Sequence, residues 1–162
     1  MLKLVFAQPG DDTFKAVLGS WVKKRTFMVR TLRQGDYEVI GVLNSPRGDI
    51  VAGVLYHDYA QLGDGGKIEI SMAADSPRWA QKGIIRALLH YPFIQLNCHV
   101  VICTTNRSNK RTRKFLEGIG FEERGTIPNR PYSDDTVIYC LRREKAMEKG
   151  WVEVSHEEVV AA

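Results

Sequence analysis

KIEISMAA (Lys67–Ala74) followed by SPRWAQKGIIRALL (Ser76–Leu89) decides the fold. The first run reads as a strand. The second reads as a helix ending near Tyr91, with Ile85, Leu88 and Leu89 on its apolar face. Ser76 and Pro77 form a good cap and first-turn pair for such a helix. Downstream, CHVVICT (Cys98–Thr104) reads as another strand, and about Asn109 to Ile119 as another helix. Strand–helix–strand–helix implies a parallel pair with a right-handed crossover. A loop between such a strand and a helix N-terminus can aim backbone N–H groups at one anion. The helix dipole adds about half a positive charge there, which favours pyrophosphate.

Outward from this segment the order is antiparallel. Met1–Ala7 reads as a strand, and Asp11 or Asp12 caps a helix running to about Lys24. That helix carries Phe14, Val17, Leu18, Trp21 and Val22 on one side. Tyr37–Asn44 and Asp49–Tyr59 form a hairpin around the turn formers at 45–48, and QLGDGG (Gln61–Gly66) turns into the next strand. Phe121–Thr126 and Thr136–Arg142 close the pattern, joined by a loop with Pro128, Pro131, Asp134 and Asp135. The expected class is α/β: a mixed sheet, mostly antiparallel around one parallel pair, with helices on both faces. Residues 1–143 are expected to form a single domain and 144–162 a tail or docked helix.

With 162 residues, 44% hydrophobic and 26% charged, the composition is that of a globular chain rather than a disordered or membrane one. No apolar stretch approaches the roughly 20 residues of a membrane span. MLKLVFAQPGDD lacks the long apolar segment of a secretory signal, so a cytoplasmic location is expected. Cys98, Cys103 and Cys140 show no CxxC spacing and lie in or beside apolar runs, as buried reduced thiols do. The four histidines show no HxxxH or HExxH pattern, so no metal is expected.

The net charge of +4 is uneven: five Glu and two Lys from Glu144 onward leave residues 1–143 at +7. Five of the eight residues from Arg107 to Lys114 are basic. That cluster suits a phosphate-rich partner, a nucleotide cofactor or a nucleic acid, or is a solvated helix face.

Arg78 and Gly83 match the first and last positions of a pattern in which Arg or Gln, a middle Gly and a final Gly or Ala are spaced three and two apart. Gln81 stands at the middle position. Asn109, Thr112, Glu117, Gly120 and Phe121 match a second pattern, and Glu69-Ile70-Ser71 a third. Together these stretches, within Tyr37–Arg143, resemble the GCN5-related N-acetyltransferases. The motifs are nearest the branch of ribosomal-protein and antibiotic acetyltransferases and its phage-type relatives.

The resemblance implies a central parallel pair that splays apart and acetyl-CoA as co-substrate. Met72, Ala73 and Ala74 would contact pantetheine. The loop Arg78, Trp79, Ala80, Gln81, Lys82 and Gly83 would hold the pyrophosphate, with Lys82 and Arg86 adding charge. Asn109 would meet the pantetheine or adenine side, and Arg111 in its cluster the 3′-phosphate. The implied reaction is direct acyl transfer to the amine of a small molecule or protein. It needs a neutral amine, an oxyanion donor and a proton for the leaving thiolate.

Glu69 is the candidate base, or else a solvent-facing strand residue. Backbone N–H near Met72 to Ala74 is the oxyanion donor. Thr112 is the candidate proton donor, or else a helix cap, because Leu116 stands where many members carry Tyr. The segments at 45–48, 61–66 and 132–135 would rim the acceptor side, with Asp134 and Asp135 able to attract a cationic amine. Two alternatives remain: a nucleic-acid-binding or nucleic-acid-modifying protein using residues 107–114, and a non-catalytic structural or assembly protein on the same fold. The oligomeric state is not legible.

Overall fold

YEVIGVLN is buried on both faces from Val39 to Val42, which requires cover above and below the strand. In the computed structural model this run is β2 (Tyr37–Asn44), between β1 (Leu2–Phe6) and β3 (Asp49–Leu62). The strands β4 (Gly65–Ala74), β5 (Cys98–Asn106), β6 (Glu122–Ile127) and β7 (Thr136–Arg142) complete a seven-stranded sheet in the order β1-β2-β3-β4-β5-β7-β6. The pair β4 and β5 is parallel and the rest antiparallel, as the reading of the sequence expects. The helices are α1 (Asp12–Arg25), α2 (Lys82–His90), α3 (Lys110–Ile119) and α4 (Arg143–Glu148). The structure describes residues 1–26, 28, 30–45 and 47–153. The expected turn at 45–48 includes Pro46, and the expected tail includes 154–162. Those positions lie outside the described residues.

Contacts divide the chain into two compact units, Met1–Tyr59 with Glu69–Leu88, and Ala60–Ile68 with the residues from Leu89 onward. In the first, Asp11 caps α1 by accepting the Phe14 N–H at 3.1 Å. Leu18 and Val22 then pack with Val39 and Leu55, joined by Phe14, Trp21 and Ala73. Val17 is 53% exposed, so it does not belong to the apolar face expected for it. Two glycines let the helix come close: a Cβ on Gly41 would lie 2.8 Å from Leu18, and one on Gly53 2.6 Å from Val22. On α2, the Leu88 carbonyl accepts the buried Tyr56 hydroxyl at 2.7 Å. Pro92, four residues on, has no N–H to offer that carbonyl, and the helix passes there into a π turn, Tyr91–Gln95.

Two expected boundaries move. β3 runs on to Leu62, because Gly63 alone supplies the positive φ (60°) of a two-residue turn before Gly65. The expected helix start at Ser76-Pro77 is instead a 3-10 turn, Pro77–Trp79, capped by Ser76. Ala80, at ψ 53°, interrupts it before α2 begins.

In the second unit, Asn109 caps α3 and Gly120, at φ 119°, ends it. The described residues after Lys145 are docked: Ala146 and Val152 are buried, and the Trp151 indole donates to the Ile119 carbonyl at 2.7 Å. Cys98 and Cys103 are buried and Cys140 half-buried, all as free thiols. Burial pushes the Cys98 thiol up to about 11. The loop before β7 is tied by its aspartates. Asp134 accepts the Ser108 hydroxyl and N–H at 2.6 and 2.8 Å, and Asp135 accepts the Asn129 and Arg130 N–H groups.

Gly53→Ala should destabilise the protein by about 1–3 kcal/mol through overpacking against Val22, read as a lower midpoint in denaturant titration. The Ser108 hydrogen bonds hold Asp134 down to about 2, from an ordinary 3.8. The stability this adds is complete above the unfolded value and is lost as pH falls through the folded one. The melting-temperature gap between wild type and Asp134→Asn should therefore shrink across that window, measured as melting curves at each pH.

Candidate functional site

The end of β4 is held by Asp75, whose N–H donates to the Val51 carbonyl at 2.9 Å and whose carboxylate pairs with Arg25 at 2.8 Å. Met72 and Ala73 are half-buried and Ala74 is exposed. Beyond them the chain turns on Trp79, a buried anchor rather than a ligand-facing side chain. The Arg78 N–H goes to the Ser76 hydroxyl, that of Ala80 to the Pro77 carbonyl and that of Gln81 to the Trp79 carbonyl at 2.8 Å. The loop thus consumes its own donors, and the free backbone N–H groups of this segment lie on the first turn of α2. The Gln81 carbonyl accepts from Ile85, making Gln81 the cap position. The N–H groups of Lys82, Gly83 and Ile84 lack a carbonyl partner among the described residues, as the first turn of a helix requires. A Cβ on Gly83 would meet nothing within 4 Å, so open space lies over these donors. Arg78, Lys82 and Arg86 are exposed around them.

Glu69 stands half-buried on β4, two residues before Ser71 and so on the same face. Among the described residues it makes no hydrogen bond or ion pair. Beside it lies a network that the reading of the sequence missed. His57, only 3% exposed, places Nε2 2.9 Å from the Ser71 hydroxyl and Nδ1 2.6 Å from Asp58. Arg30 donates to both Asp58 oxygens, at 2.6 and 3.2 Å. Arg30, and after it His57, hold the Asp58 carboxyl below its ordinary value. Ligand atoms of His57, Asp58 and Glu69 lie within 4.8 Å of one another, a spacing that would suit a cation. The guanidinium already on Asp58 makes this a hydrogen-bond network instead. The one sequence signal was a polar His-Asp pair inside the apolar run VAGVLYHDYA.

In the second unit, Asn109 Oδ1 accepts the Thr112 N–H at 3.1 Å, so the cap engages the oxygen of one expected ligand. Thr112 is half-buried on the first turn, and Arg111 is exposed beside it. Of the basic cluster, Arg107 pairs with Glu123 at 3.0 Å, and Arg113 donates to the Tyr139 hydroxyl and lies 3.5 Å from Glu123. That leaves Lys110, Arg111 and Lys114 as its exposed face. Leu116 is wholly buried, so its position faces the core. Asp134 and Asp135 are engaged by the loop's own donors, the Ser108 hydroxyl and N–H on one and the Asn129 and Arg130 N–H groups on the other.

No protein-family model and no curated protein matches the sequence. Solved structures do. The ribosomal-protein-S5-alanine acetyltransferase of Vibrio fischeri superposes with a TM-score of 0.66 at 11% identity, over 88% of this chain and 93% of that one. The spermidine N-acetyltransferase of Vibrio cholerae, solved with CoA and spermine, superposes with a TM-score of 0.62 at 16% identity, over 90% and 98%. Likeness at such identities is a likeness of fold, and it agrees with the strand order and the β4–α2 segment. The chain has the fold of the GCN5-related N-acetyltransferases.

Proposed function

We propose that this chain is an acetyl-CoA-dependent N-acetyltransferase that passes an acetyl group directly to an amine. The observation that carries the reading is the open first turn of α2. Three backbone donors, the positive end of a helix and a glycine with empty space above it fit the diphosphate of CoA. The similarity to an acetyltransferase solved with CoA supports it.

Acetyl-CoA would supply an activated acetyl thioester. The chain's part is to bind and orient it: Lys82, Gly83 and Ile84 through N–H groups, and Arg78, Lys82 and Arg86 through charge. The backbone of Met72, Ala73 and Ala74 would lie along the pantetheine and offer the oxyanion a donor. Trp79 fixes the loop from inside the protein, and Ala80 and Gln81 set where the helix starts. Glu69 would serve the incoming amine. Asn109, Arg111 and Thr112 belong to the other unit, and their roles as cofactor ligands and proton donor rest on the motif alone.

A thermal-melt titration tests the reading. Acetyl-CoA at 100 times its dissociation constant stabilises by about 2.7 kcal/mol, a rise of roughly 2–4 °C for each kcal/mol at this chain length. ADP serves as the control. No saturable rise up to millimolar acetyl-CoA would overturn the proposal. Gly83→Glu places a carboxylate in the cradle, in a first turn where the dipole favours an acid and nothing obstructs the side chain. Its ligand-free melting temperature should equal or exceed that of wild type, while the acetyl-CoA shift disappears.

A further inference from the structure

Successive strand residues point to opposite faces, so His57 and Asp58 should not touch. They do touch, because Asp58 adopts φ 54°, one of two non-glycine residues with positive φ among the described residues. Pairing of β3 with β2 ends at His57, opposite Tyr37, and the backbone twists immediately beyond. The twist brings the Asp58 carboxylate onto Nδ1 of the preceding imidazole. Left-handed backbone is unfavourable for Asp, and a nearly buried imidazole is an unfavourable core residue. Both unfavourable terms serve one arrangement.

The donors and acceptors give that arrangement a direction. An ionised Asp58 only accepts, and at 2.6 Å it lies nearer Nδ1 than Arg30 Nη2 does at 3.4 Å, so when the ring is neutral Nδ1 carries the hydrogen and Nε2 holds a lone pair. The Ser71 hydroxyl, 2.9 Å away, therefore donates to Nε2 and turns its own lone pairs outward. The charged and titratable groups around His57 are Arg30 ahead of β2, Tyr37 on β2, Asp58 on β3 and Glu69 on β4. Among the described residues Glu69 makes no hydrogen bond or ion pair, and its charge acts on Arg30 only at longer range.

We propose that Ser71, His57 and Asp58 form a proton relay that deprotonates a cationic alkylamine bound against Glu69. The ammonium N–H bond breaks as its proton passes to Ser71 Oγ, and the Ser71 proton passes to His57 Nε2. This leaves a neutral amine with its electron pair free and an imidazolium facing Asp58. The proton then leaves to solvent. Ser71 touches the amine and His57 stores the proton, while Asp58 and Arg30 are positioning residues. Glu69 recognises the cation instead of serving as the base. The inference rests on the transferase reading and adds the acceptor class to it.

The test uses the full chain with acetyl-CoA and either n-butylamine or 1,4-diaminobutane. Ser71→Ala and His57→Gln should each lower kcat/KM near neutral pH by about 100-fold or more. The loss should narrow toward about pH 10, where solution supplies the neutral amine. A loss that is the same at every pH, or none, overturns the relay. Ser71 is half-buried, so Ser71→Ala decides the matter if the histidine variant does not fold. Glu69→Gln should raise KM for both amines more than it lowers kcat, and the reverse split overturns its role in recognising the cation. Nitrogen-15 NMR of labelled histidine gives a reading free of turnover: Nδ1 should be protonated and Nε2 bare, and the reverse tautomer overturns the proposal. A saturable acetyl-CoA shift without acetylation of either amine overturns the relay and leaves the transferase standing. No acetyl-CoA shift in the wild type overturns the transferase reading itself.

Discussion

Everything proposed for the first unit depends on where α2 starts. If the helix ran back to Ser76, the N–H groups of Ala80 through Ile84 would be donors within its turns, and no cradle would face solvent at Gly83. Trp79 prevents this. Its indole is buried, and the 3-10 turn that carries it has Ser76 as its own cap. Ala80 then breaks the helical geometry for one residue. The helix restarts at Lys82 with its first-turn donors bare. A buried ring thus decides the position of three exposed hydrogen-bond donors.

This also explains Gln81. At the middle position of the loop pattern a glycine would let the backbone approach a phosphate closely. Here the Gln81 N–H is already bonded to the Trp79 carbonyl and its own carbonyl caps α2, so the residue works through its backbone. Its exposed side chain need not enter the cradle. The glycine that matters is Gly83, where both the open space and the free donors lie.

Most of the sheet was legible because each strand carries its own signal: buried runs at Val39–Val42, alternation in Thr136–Arg142, and Gly120-Phe121 at the return from α3. The misread boundaries share one cause. Ser76-Pro77 is an equally good start for a 3-10 turn and an α-helix, and only the burial of Trp79 separates the two. Val17 fits a helical stripe in sequence, but the stripe that packs is narrower, because Gly41 and Gly53 bring α1 close along Leu18 and Val22. The polar His57-Asp58 pair inside an apolar run marked the place, but nothing in the sequence signalled that the two side chains touch. That contact depends on one φ angle, and alternation along a strand predicts the opposite.

The same network shows why the buried histidine needs Arg30. His57 is 3% exposed while the Asp58 side chain is 43% exposed, and the partial burial of that carboxyl favours its acid form. A protonated Asp58 could donate to Nδ1, reversing the ring's tautomer and turning Nε2 into a donor toward Ser71. Arg30 bonds both carboxylate oxygens and is the largest of the influences, ahead of His57, that hold the Asp58 carboxyl below its ordinary value. The guanidinium makes no bond to Ser71, yet it favours the ionised Asp58 that directs the Ser71 proton toward Nε2 in the proposed relay. A charge placed outside a buried histidine thereby selects acceptor over donor at the nitrogen that faces the site.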